Sequence, residues 1–140
     1  MIEKTYGTII LPNNIDITDP SYDEDVWCRV NNYPIGAGEY ECYAVFTGPS
    51  KWGNRVKRCG LRKVGAEEGT YYPIAIIGVD SGMAGFFNCE NVKVFEDILV
   101  EPTDEVYKGD NYFVTDAGYG DGSYYVYSGK SGIYIEFIED

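Results

Sequence analysis

The chain has 140 residues, with 23 Asp and Glu against 11 Lys and Arg, a net charge of −12 and an isoelectric point near 4.3. Such a field repels polyanions, which argues against general nucleic-acid binding and against an anionic membrane surface. The sequence contains no histidine, so Ser-His-Asp and Cys-His nucleophile systems are excluded and the common Cys/His zinc sites are disfavoured.

The length suits one domain over residues 1–140, and 44% hydrophobic with 16% aromatic residues is enough to build a core without a staple. The N-terminus shows no basic region leading into an apolar one, and no apolar run is long enough to span a bilayer, so a cytoplasmic protein is expected. Cys28, Cys42, Cys59 and Cys89 are irregularly spaced and are read as reduced structural thiols. No cofactor is called for.

In chain order, residues 5–11 form a first strand stopped by Pro12, and residues 15–18 a short second one. Asp19-Pro20 marks a turn, after which Ser21 or Asp23 can cap one helical turn; Asp23-Glu24-Asp25 reads as a solvated acidic turn, lacking the ligand spacing of a calcium loop. Residues 39–46 alternate, placing Tyr40, Cys42, Ala44 and Phe46 on one face. Residues 51–63 then hold Lys51, Arg55, Lys57, Arg58, Arg62 and Lys63, a basic cluster in an acidic chain. It reads either as an edge strand protected by its charges or pairing with acidic neighbours, or as an anion pocket in which Arg55 or Arg58 grips the ligand and Trp52 stacks on it. A bulge near Cys59-Gly60 would gather more of these cations on one face.

Ile74-Ala75-Ile76-Ile77, bounded by Pro73 and Gly78, reads as a strand buried on both faces. It delivers Asp80 and Ser81 into a glycine turn, where Asp80 would accept the N–H groups of Gly82 and Met83. Residues 92–95 are a short strand, and 96–101 an acidic connector halted by Pro102. Residues 112–115 lead into a loop with glycine at 118, 120 and 122 that carries Tyr119 and Asp121 and feeds an aromatic strand. Residues 129–132 form a hairpin turn before a strand with Ile133, Ile135 and Phe137 facing the core. The fold class is therefore all-β, a single-domain antiparallel sandwich or partly open barrel of short strands with glycine-rich turns.

The series Ile17-Thr18-Asp19-Pro20-Ser21-Tyr22, Trp52-Gly53-Asn54-Arg55-Val56, residues 78–87 and Gly118-Tyr119-Gly120-Asp121-Gly122-Ser123-Tyr124 resembles the uncharacterised bacterial and phage β-proteins grouped as domain of unknown function 4241. The resemblance spans residues 15–137 and departs where that group often has proline-cysteine and this chain has Pro20-Ser21. It implies a β fold and a prokaryotic or phage cytoplasmic origin, and no activity. Three functional readings stay open. They are a protein-interaction or structural module, which includes an inhibitor; a binder of a small anion or nucleotide-derived ligand through Trp52, Arg55, Arg58, Asp80, Ser81, Tyr119 and Asp121; and a divalent-metal or carboxylate hydrolase built on Asp80 and Asp121.

Overall fold

A computed structural model describes residues 1–22, 27–49, 51, 53–88 and 105–139. These form eleven strands in two antiparallel sheets: β1 (Ile2–Leu11), β2 (Asn14–Thr18), β3 (Val30–Pro34), β4 (Gly38–Phe46), β5 (Val56–Lys63), β6 (Tyr71–Val79), β7 (Met83–Asn88), β8 (Val106–Lys108), β9 (Tyr112–Asp116), β10 (Gly122–Gly129) and β11 (Gly132–Glu136). The larger sheet has the order β1-β4-β5-β11-β10-β6 and the smaller β3-β2-β7-β9-β8, so the architecture is an open all-β sandwich. No helix occurs among the described residues, and none is therefore long and apolar enough to cross a membrane.

The core lies between the sheets and is built by period-two alternation. Tyr40, Cys42, Ala44 and Phe46 of β4, Cys59 and Leu61 of β5, and Ile133 and Ile135 of β11 all point inward, against Ile15, Ile17, Phe86 and Phe113 of the smaller sheet. Cys42 and Cys59 are buried free thiols. Burial pushes the Cys42 thiol up to about 12 and raises that of Cys59 as well, so both behave as small apolar groups at neutral pH.

Four expectations need correction. The basic strand β5 is not an edge, because it pairs with β4 on one side and β11 on the other. Its bulge falls at Lys57, where Phe46 opposes Val56 and Val45 opposes Arg58, and not at Cys59-Gly60; that extra residue keeps Val56 in the core while sending Arg58 and Arg62 outward. Gly60 stays flat between them because the Tyr43 ring lies directly over it, where any Cβ would collide. Finally, β6 is not buried on both faces. It ends the larger sheet, with Ile77 buried but Ile74 and Ile76 exposed. The glycine turn after it is also shorter than its sequence suggests, since Met83–Asn88 is the strand β7, paired with β2 and β9. The expected strand at 92–95, the acidic turn at 23–25, Cys89 and Trp52 lie outside the described residues.

Candidate functional site

The turn from β6 to β7 is organised by a residue the sequence presented only as a turn former. Asp19, at the end of β2, is fully buried. Its Oδ2 accepts the backbone N–H of Asp80 at 2.6 Å and of Ser81 at 2.7 Å, and its Oδ1 accepts Ser81 Oγ, Ser21 N and Ser21 Oγ, each at 2.7 Å. A buried carboxylate is tolerable only when its lone pairs are met in this way. Asp19 thus does the work expected of Asp80. The Asp80 carboxylate faces outward and accepts the Tyr22 hydroxyl at 3.1 Å. Burial, then the neighbouring Cys28 and Asp80, raise the Tyr22 phenol and keep its proton in place. Arg29 closes this end, donating to Asp16 Oδ2 at 2.9 Å, to the Tyr22 carbonyl at 2.7 Å and to Asn31 Oδ1 at 2.7 Å.

Antiparallel pairing of Val79 with Gly122 brings Asp80 and Asp121 to the same end of the larger sheet. The loop of residues 117–121 joins them there, because Ala117 donates its N–H to the Gly82 carbonyl. The same loop holds Tyr119, whose ring lies 5.7 Å from the Arg55 guanidinium. Asp80, Ser81, Tyr119, Asp121 and Arg55 are therefore gathered around one end. Asp116, just before that loop, has its carboxyl raised by burial and by Glu105. Among the described residues no group of three or more Cys, Asp and Glu is arranged to hold a metal ion.

Arg58 belongs to a different surface, the outer face of the larger sheet. Its guanidinium forms a fork with Glu136, at 2.6 Å and 3.2 Å, and lies flat 4.0 Å from the centre of the Tyr134 ring. Arg62 repeats the arrangement, bonding Glu3 at 2.9 Å and Glu41 at 3.2 Å while covering the Tyr43 ring at 4.1 Å. The bulged Lys57 turns inward and donates to the Ile138 carbonyl at 2.6 Å. Tyr134 stacks in turn on Tyr127, with centroids 5.1 Å apart and the rings 18° from parallel. Two shallow depressions of about 620 and 410 Å3 flank this stack and share Arg58 and Tyr134. Glu3, Glu68, Glu136 and Glu139 also line them, so they present carboxylates beside cations already paired. Of the two accounts of the basic cluster, pairing with acidic neighbours is the one this geometry supports.

Scans of family models, curated proteins and solved structures find nothing that matches the chain. Exposed large apolar residues crowd β6 and β10, which no motif announced: Tyr72 is 64% exposed, Ile76 48%, Tyr125 45% and Ile74 38%, with Tyr72, opposite Ser128, on the other face from Ile76 and Tyr125. Tyr125 opposes Ile76 directly across the β6–β10 ladder. Sequence alternation did not find this group because Ile-Ala-Ile-Ile reads as continuous and carries no period.

Proposed function

We propose that the protein is an interaction module that receives a protein partner on the edge of β6, unpaired among the described residues, and on the adjoining outer face formed by Ile76 and Tyr125. One observation carries this reading. An exposed edge strand is normally blunted with charge, yet β6 has no charged residue along its whole length in a chain of net charge −12. Among the described residues the edge is blunted by Pro73, by an irregularity between Pro73 and Ala75 and by the Cys28 carbonyl, which accepts the Gly78 N–H. Tyrosine and aliphatic groups on such an edge have the composition of a binding surface.

The reading as a small-anion binder has less support, since Arg58 and Arg62 are engaged by Glu136, Glu3 and Glu41. A hydrolase reading has only the shared end of Asp80 and Asp121 behind it. The bacterial or phage cytoplasmic origin implied by the resemblance fits an interaction module and adds no activity to it.

Recovery of partners from the producing cells with tagged wild type, Ile76→Lys and Ile10→Lys tests the proposal, Ile10 being more exposed than Ile76 and on the opposite edge strand β1. A protein retained by wild type and Ile10→Lys but depleted about tenfold by Ile76→Lys, roughly 1.4 kcal/mol of binding, is the expected result. Identical recovery by all three would refute it.

A further inference from the structure

We infer that the β6 edge takes an extended, uncharged strand with basic residues at its ends, and that it does not pair with a second copy of itself. The inference rests on the reading of β6 as the binding edge and specifies the chemistry of what binds there.

The hydrogen-bonding groups can be assigned from the ladder. Gly78 donates its N–H to the Cys28 carbonyl at 2.9 Å, away from the β10 partner strand. Successive residues of a strand turn their backbone groups to opposite sides, so Ile76, two residues earlier, also turns its N–H and C=O outward. Among the described residues no strand pairs with β6 on that side. Cys28 therefore caps the edge at Gly78, Pro73 removes a donor near its start, and the segment from Ile74 to Ile77 is left to accept a short incoming strand.

Charge selects the strand. The segment itself is neutral, but exposed carboxylates stand at both ends: Glu67 and Glu68 before β6, and Asp80 with Asp121 after it. Lys130, in the β10–β11 turn near Tyr71, is an exposed cation beside the first group, and Glu68 lines the same depression as Arg58 and Arg62, which are themselves paired with Glu136, Glu3 and Glu41. Antiparallel pairing of β6 with a second copy would set Glu67 and Glu68 of one molecule against Asp80 and Asp121 of the other, at both ends of the junction. Like charges so placed oppose self-association, whereas an apolar strand with basic ends meets opposite charge at each end.

Two synthetic peptides test this, each with a core of alternating valine and threonine, one with a pair of arginines at each end and the other with a pair of glutamates. Binding is followed calorimetrically at low and high salt, with wild type and Ile76→Lys, and the mass of the free protein is measured by sedimentation. Expected are a monomeric free protein and binding of the arginine-ended peptide at least about tenfold tighter than the glutamate-ended one at low salt. The preference should shrink as salt rises, and Ile76→Lys should abolish the binding. Equal affinity for both peptides, with both lost in Ile76→Lys, would overturn the charge selection and leave the edge reading standing. A dimer dissolved by Ile76→Lys would do the same and name a second copy as the occupant. Binding that Ile76→Lys leaves intact would overturn the inference and the edge reading together. No binding by either peptide overturns the inference alone, the edge reading then resting on partner recovery.

Discussion

At the scale of single residues, the difference between Asp19 and Asp80 is instructive. Both sit beside a turn in the sequence, but only Asp19 is buried and only Asp19 accepts the N–H groups that fix the β6–β7 connection. Asp19→Ala would strand three backbone donors and two hydroxyls in a part-buried turn and is expected to cost about 3 kcal/mol. Asp80→Ala, which removes an exposed bond to Tyr22, should cost no more than about 1 kcal/mol. Urea melts of the two variants would check this, and equal losses would contradict the assignment of roles. Nothing local distinguishes the two carboxylates in the sequence. The decisive contacts join positions 61 and 62 residues apart, and a reading by local pattern has no access to them.

At the scale of strands, legibility followed the burial of each face. β4 and β11 were readable because one face of each is core and the other solvent, so their side chains alternate. β3 and β8 hold only half-buried and exposed residues and so carry no apolar alternation, and β7 is buried along nearly its whole length and follows a glycine-containing turn; local pattern does not reveal these strands for that reason. The basic residues of β5 were conspicuous, but their partners Glu3, Glu41 and Glu136 come from β1, β4 and β11, and only the sheet order brings them together. Those pairs are not energetically alike. Glu136 is mostly buried and serves both Arg58 and Lys57, whereas Glu3 is about half exposed. Glu136→Ala should therefore destabilise by about 3 kcal/mol, by leaving a buried lysine and an arginine without their carboxylate. Glu3→Ala should stay within about 1 kcal/mol. Thermal or denaturant unfolding of the two variants decides it, and a loss for Glu3→Ala as large as for Glu136→Ala would show that the outer-face network acts as one unit.

For the molecule as a whole, the two sheets enclose the main core, with a smaller buried cluster of Met83, Phe87 and Val114 besides, and leave a larger sheet whose outer face and one edge are chemically distinct. The face is a lattice of paired ions lying on tyrosine rings, largely self-neutralised. The β6 edge is uncharged and apolar, and among the described residues no strand pairs with it on the side away from β10. The interaction reading depends on that openness more than on any single side chain. The measurement that addresses it most directly is amide hydrogen exchange along β6 in the free protein and with a bound partner or peptide. An open edge predicts fast exchange at Ile76, whose N–H turns outward, and slow exchange at Ile77, whose N–H turns to β10, with Ile76 slowing at least about tenfold on binding. An Ile76 amide already as protected as that of Ile77 in the free protein, or one left unchanged by a bound partner, would contradict it.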